Sequence, residues 1–153
     1  MDDQRLGQRD DVSALWPDAS GCLWIGLEGE GLYRMPAGSY TPEKFSICPE
    51  TDDATITAIY IDSRGTLWVG TYLRGIFRRS ADGRVTHLMQ GMSVSGIDED
   101  NRGNLLLACQ KHGVMRIPDG GTTVEKVDNS DSWTLQVSAG PSRQALFTTS
   151  EGL

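Results

Sequence analysis

Three stretches of this 153-residue chain are copies of one another, and that repeat constrains the fold more than any bulk property does. Gly21-Cys22-Leu23-Trp24-Ile25-Gly26 recurs as Gly65-Thr66-Leu67-Trp68-Val69-Gly70, and more loosely as Gly103-Asn104-Leu105-Leu106-Leu107-Ala108. Asp18, Asp62 and Asp100 each stand three residues ahead of a leading glycine. Ten residues after that glycine comes Gly-apolar-apolar-Arg: Gly31-Leu32-Tyr33-Arg34, Gly75-Ile76-Phe77-Arg78 and Gly113-Val114-Met115-Arg116. A fourth, decayed copy begins at Thr134 and keeps Ala145-Leu146-Phe147-Thr148 and Gly152-Leu153. The leading glycines are spaced 44 and then 38 residues apart.

Each copy reads as four short strands. The first is Val12 to Trp16, Ile56 to Ile61 and Val94 to Ile97. Asp-x-x-Gly then makes a tight turn, because an aspartate side chain bonds nearby backbone and glycine accepts the final turn position. The second strand is Leu23 to Leu27, Leu67 to Thr71 and Leu105 to Cys109, and it is apolar on both faces, so sheet covers both. The third is Leu32 to Met35, Ile76 to Arg79 and Val114 to Ile117. The fourth is more polar, as an outer strand meeting water would be: Lys44 to Ile47, Arg84 to Met89 and Thr123 to Val127. No stretch of eleven residues keeps a helical period without a Gly or Pro interruption. Four antiparallel strands every ~40 residues, with Trp in the second, describe β-propeller blades. The expected fold is all-β, a partial propeller of about three and a half blades, at 11–54, 55–92, 93–133 and 134–153 (incomplete). The small residues Ser13, Thr57 and Ser95, with Ala14, Ala58 and Gly96, place the first strand at the crowded propeller axis.

The chain carries 21 acidic against 14 basic residues, net -7, which argues against nonspecific nucleic-acid binding. No apolar run is long enough to insert into a membrane. Cys22, Cys48 and Cys109 form no C-x-x-C pair and read as small hydrophobes. The first residues lack the apolar core of a signal peptide, so a cytoplasmic home is not excluded on sequence.

The pattern Asp-x-x-Gly-x-Leu-Trp-[Ile/Val]-Gly, four residues, then Gly-[Leu/Ile]-[Tyr/Phe]-Arg resembles the two-component regulator propeller repeat, from about Asp11 to Leu153. Units one and two match well. Unit three has Leu106 for the Trp and Ala108 for the second Gly; unit four has Pro141 and Gln144 for the Asp and first Gly. The resemblance implies a periplasmic sensor region ahead of a histidine kinase or diguanylate cyclase, with oligosaccharide recognition in several members. The sialidase Asp-box spaces Asp and Gly one residue closer, and WD repeats need Gly-His and Trp-Asp pairs that this sequence lacks. Streptogramin-lyase-like propellers share the blade style and resemble an enzyme class using His and Glu with a divalent metal; His87 and His112 have no matching His/Glu pair nearby.

Function in a repeat scaffold sits in loops that vary while their flanks do not. The loops between second and third strands are Leu27-Glu28-Gly29-Glu30, Thr71-Tyr72-Leu73-Arg74 and Cys109-Gln110-Lys111-His112. The connectors Cys48 to Ala54, Gln90 to Met92 and Asp128 to Trp133 share their face. Glu28, Glu30, Tyr72, Arg74, Gln110, Lys111, His112 and Trp133 are therefore the candidate ligand-binding residues, a set able to stack on and hydrogen-bond a sugar. The recurring Arg34, Arg78 and Arg116 read as structural, bonded to an adjacent blade or to a turn carboxylate such as Asp18, Asp62 or Asp100; Trp24 and Trp68 read as packing between blades. No catalytic residue, metal-ligand cluster or phosphate loop stands out, so the expectation is a non-enzymatic region without metal or cofactor. The leading reading is a ligand-binding sensory propeller, its partner an oligosaccharide or other small ligand. The alternatives are a protein-interaction scaffold and a degenerate lyase. Closed propellers take 4–8 blades, so closure is expected from self-association, for which two copies would make seven blades, or from further blades of a longer chain.

Overall fold

The structure, a computed structural model, describes residues 11–119, 121–127, 134–139 and 145–149. Strands β1 (Val12–Pro17), β2 (Leu23–Leu27), β3 (Gly31–Met35) and β4 (Glu43–Lys44) form the first antiparallel sheet. The second contains β5 (Ile56–Ile61), β6 (Leu67–Thr71), β7 (Ile76–Arg79) and β8 (Val85–Leu88). The third contains β9 (Val94–Glu99), β10 (Leu105–Cys109), β11 (Gly113–Ile117) and β12 (Glu125–Lys126). β13 (Thr134–Ala139) and β14 (Ala145–Thr149) make a two-stranded sheet. The chain is an all-β partial propeller, in which β1, β5, β9 and β13 pack in succession.

The register explains why the repeat needs its residues. Ala14 pairs with Gly26 and Gly26 with Leu32, so these three share a face; Trp16, Trp24 and Arg34 lie on the same side. That face meets the next blade. A Cβ on Gly26 would lie 2.6 Å from the side chain of Ile56, and one on Gly70 would lie 2.8 Å from the Val94 carbonyl oxygen. Glycine in the second strand thus lets the following first strand approach closely. Ser13 donates its hydroxyl to the Ile56 carbonyl, and Thr57 does the same to Val94, so the axial strands are stitched blade to blade. Trp24, Leu32, Ile56, Ile59, Val69 and Phe77 form the core between blades one and two. Trp68, Ile76, Val94, Leu107, Met115 and Ile117 form the next.

The Asp-x-x-Gly turns close as the sequence implies. Asp18 Oδ1 accepts from the backbone N–H groups of Ser20 and Cys22, and Asp62 and Asp100 repeat this with Arg64 and Thr66, and with Arg102 and Asn104. The second oxygen does what spacing did not reveal: Asp18 Oδ2 accepts from the Trp24 indole at 3.0 Å, and Asp62 Oδ2 from Trp68 at 2.9 Å. Blade three lacks the Trp, and there the Asn104 amide donates to Asp100 Oδ2 at 2.9 Å. The bond survives although its donor moved two residues along the chain.

Two expectations are corrected. Arg34 and Arg78 do not bond turn carboxylates; their guanidinium groups lie over their own blade's Trp24 and Trp68, each 5.6 Å from the ring centroid. Cross-strand pairing puts each arginine opposite its tryptophan, and the indole N–H has already taken the aspartate. Arg116, opposite Leu106, instead pairs with Glu125 on β12. The fourth strands of blades one and three are also shorter than expected, two residues each. After Lys44 the chain turns inward, because Phe45 packs edge-on against Trp24 and Ile47 is buried.

The turn carboxylates make stability depend on acid. The Ser20 hydroxyl bond, with the Trp24 and backbone bonds, outweighs burial and lowers Asp18 from its ordinary value of 3.8. At Asp100 burial works to raise the value, but the Asn104 and Arg102 bonds overcome it and the net direction is down. A carboxylate depressed in the folded state contributes stability above its unfolded pKa, and that contribution is lost as pH falls through the folded value. Thermal melts followed by circular dichroism are expected to show a midpoint flat from pH 7 to about 5 and falling below about 4. Asp100→Asn should flatten that fall, and an unchanged slope in the variant would contradict this origin.

Candidate functional site: a cleft between the second and third blades

The loops joining second to third strands share one backbone device. Their middle residues, Gly29, Leu73 and Lys111, are all left-handed, with φ of 69°, 63° and 67°. Glycine adopts this without strain, whereas Leu and Lys each hold it at a cost of roughly 1–2 kcal/mol. The following blade anchors the loops: Gly29 N–H donates to Thr55 Oγ1 and Leu73 N–H to Ser93 Oγ, both at 2.9 Å. Gly31 and Gly75 N–H groups bond the Ala54 and Met92 carbonyls alongside.

Between blades one and two this arrangement is latched shut. Arg74 Nη1 donates to the Glu50 carbonyl at 2.8 Å and to Asp53 Oδ1 at 2.6 Å. Its hydrogen bond and charge hold the Asp53 carboxyl below its ordinary value. Lys44 Nζ reaches across to the carbonyls of Glu30 and Asp52. The connector that offers these acceptors contains a 3-10 turn, Pro49–Thr51. His87, stacked on Phe77 at 4.0 Å, donates from Nε2 to the Arg74 carbonyl and fixes that loop from below.

Between blades two and three the latch is missing, for a reason visible in the spacing. From Gly75 to Val94 the chain is six residues shorter than from Gly31 to Ile56. The shorter connector leaves Gly91 where its counterpart carries acceptors, and a depression of about 130 Å³ opens. Tyr72 and Leu73 form one wall, Gly91, Met92 and Ser93 the floor, and Gln110, Lys111 and His112 the other wall. Tyr72 and Leu73 are 52% and 54% exposed. Both stand open to water beside the polar side chains of Gln110, Lys111 and His112.

Of the residues singled out from sequence, the cleft brings together Tyr72, Gln110, Lys111 and His112. Arg74 is engaged in the latch. Glu28 and Glu30 are exposed on the first loop, away from the cleft, and Trp133 lies outside the described residues. Leu73, Met92 and Ser93 were not singled out; the shortened second spacing and the Leu and Lys standing where blade one has Gly29 were the available signals. A second hollow, about 220 Å³, runs along the axis between Ala14, Leu15, Thr57–Ile59 and Ser95–Ile97. On the opposite face Arg64 pairs with Asp119, joining blades two and three. Among the described residues no cluster of three or more His, Cys, Asp or Glu could hold a metal, and no helix is long and apolar enough to cross a membrane. Cys109 is enclosed in the core, where burial pushes its thiol up to about 12.

Fold and loop face together define a β-propeller segment with an open inter-blade cleft. The family model described as two component regulator propeller matches residues 51–73, which run from the connector through β5 and β6 to Leu73 in the cleft wall. No curated protein matches the sequence. Among solved structures, the extracellular domain of a putative hybrid two component system from B. thetaiotaomicron aligns with a TM-score of 0.77 at 23% identity, over 99% of this chain and 21% of that one. Catalytically inactive virginiamycin B lyase from Staphylococcus aureus, solved with quinupristin, aligns at 0.75 and 18% identity, over 95% and 51%. The computationally designed Ika4 protein aligns at 0.70 and 8% identity, over 96% and 90%. The chain thus spans about half of the lyase and a fifth of the sensor domain, and these likenesses speak to fold.

Proposed function

We propose that this chain is a ligand-sensing propeller segment of an extracytoplasmic two-component-type receptor, and that its ligand is a carbohydrate seated on the loop face. The observation that carries the reading is the cleft itself. One inter-blade gap is latched by Arg74 and Lys44, while its neighbour stands open with an exposed tyrosine, an amide, an imidazole and a hydroxyl around it. An aromatic face beside short polar groups is what a sugar ring needs, since its C–H face stacks and its rim hydrogen-bonds. The repeat family supports a signalling role.

Thermal-shift screening against an oligosaccharide panel tests this. A ligand at a hundred times its Kd adds about 2.7 kcal/mol by mass action, enough to raise the melting temperature by several degrees. Tyr72→Ala is expected to abolish the rise while leaving the unliganded melting temperature nearly unchanged. Silence across a broad panel, or a rise that survives the substitution, would contradict the proposal.

A further inference from the structure

We infer that the cleft between blades two and three selects sugars bearing an acetamido group, with the ring on Tyr72, the acetyl methyl against Leu73 and Met92, and the amide paired with the Gln110 side chain. This rests on the reading of the cleft as a sugar seat and adds the substituent that tells one sugar from another. The hollow, about 130 Å³, is smaller than the ~300–1,000 Å³ of a pocket for a drug-sized ligand, so it takes one unit of a glycan and its substituent. An acetamido group brings one donor, one acceptor and one methyl. The shortened connector leaves Met92 on the floor beside Leu73, and Gln110 stands in the facing wall. Among the described residues the Gln110 side-chain amide makes no hydrogen bond. A primary amide offers donor and acceptor together, so it can answer both polar atoms of the acetamido group. A sugar hydroxyl in the same place could bond the amide but would leave Leu73 and Met92 facing water.

The backbone at Leu73 adds a second argument. Leu73 holds φ of 63°, a conformation for which blade one uses Gly29, and it is 54% exposed, so the strain is not offset by burying the side chain. Strain kept under an open leucine points to a use for that leucine outside the fold. The loop is pinned on both flanks. Tyr72 N–H donates to the Thr55 carbonyl at 3.0 Å, and Arg74 is held by Asp53 and the Glu50 carbonyl while its own carbonyl accepts from His87. Ser93 then ties the two walls together. Its hydroxyl accepts from Leu73 N–H at 2.9 Å, and its carbonyl accepts from Gln110 N–H at 3.0 Å. Walls held at a fixed separation lose little freedom when a ligand enters between them.

Titration calorimetry with tri-N-acetylchitotriose and with cellotriose tests the inference, since the two trisaccharides share a linkage and carry an acetamido group or a hydroxyl on the same ring carbon. The acetylated sugar is expected to bind roughly tenfold more tightly, the yield of one buried methyl and one added hydrogen bond. Leu73→Gly should bring it toward the affinity of cellotriose, with a melting temperature that holds or rises because glycine relieves the backbone. Gln110→Met, which keeps the side chain's length and loses both polar groups, should narrow the preference too, and Tyr72→Ala should weaken both sugars. An unchanged far-UV spectrum certifies that the variants are folded. Equal affinity for the two sugars, or a preference that survives Leu73→Gly or Gln110→Met, overturns the acetamido selection and leaves the sugar seat standing. A melting temperature lowered by Leu73→Gly overturns it as well, by showing that the leucine serves the fold. Binding of neither sugar, while another sugar binds in a manner lost in Tyr72→Ala, overturns the selection alone; silence across the whole oligosaccharide panel overturns both readings.

Discussion

Gly75→Ala is expected to destabilise the chain by roughly 3–5 kcal/mol, a large part of the ~5–15 kcal/mol that holds a domain folded. Gly75 opens β7 at φ of 77°, where an added Cβ alone costs about 1–2 kcal/mol. That Cβ would also lie inside van der Waals contact of the Leu88 and Met89 carbonyl oxygens, which are backbone atoms and cannot rotate away. Relieving the clash displaces the connector and weakens the bond from Gly75 N–H to the Met92 carbonyl, 2.7 Å in the native chain. Gly29→Ala is the control, with a similar φ of 69° and nothing within 4 Å of its Cβ, so only the backbone cost of about 1 kcal/mol remains. Urea unfolding of the two variants should separate them by at least a factor of two in lost stability. Equal losses would show that the close approach of Gly75 to the Leu88 and Met89 carbonyls contributes nothing.

Trp68→Ala has a comparable effect from a different cause. Trp68 is 4% exposed and packs with Ile76, Val94, Leu105 and Leu107 between blades two and three. Truncating a buried tryptophan costs about 3–5 kcal/mol through lost burial and the cavity left behind. The change also strips Asp62 Oδ2 of its indole donor, and Asp62 is itself buried, so a further ~1–3 kcal/mol follows from a carboxylate oxygen left short of a partner. Trp68→Phe isolates that second part by keeping most of the ring. The third blade supplies the comparison: Asn104→Ala removes the equivalent bond to Asp100, together with the Asp119 N–H bond to the Asn104 amide oxygen, without a core cavity, at an expected cost of about 1–2 kcal/mol. If Trp68→Phe unfolds no more readily than the native chain in urea, the indole bond is not a support of the turn.

The strands and turns were legible because each repeat position answers a local demand. Aspartate and glycine meet at a tight turn, glycine in β2 and β6 admits the next blade, and a two-faced apolar strand requires cover on both sides. The partners of Arg34 and Arg78 were not legible, since spacing cannot show that the indole N–H reaches the aspartate first and leaves the ring face to the guanidinium. The candidate site divides the same way. Tyr72, Gln110, Lys111 and His112 stood out as variable loop residues and do share one cleft, but Arg74 stood out equally and serves the neighbouring latch. Which gap opens depends on a six-residue difference in connector length, a feature that gains meaning only when both connectors are seen over their loops.

The most direct measurement is a two-dimensional amide NMR titration of the chain with the sugar that raises its melting temperature most. Perturbed amides are predicted at Tyr72, Leu73, Met92, Ser93, Gln110, Lys111 and His112, with Glu28–Glu30 and the Arg64–Asp119 face unmoved. Perturbation centred on the latched gap at Glu28–Glu30, on the axial residues Thr57–Ile59, or nowhere would contradict the assignment of the cleft as the ligand seat.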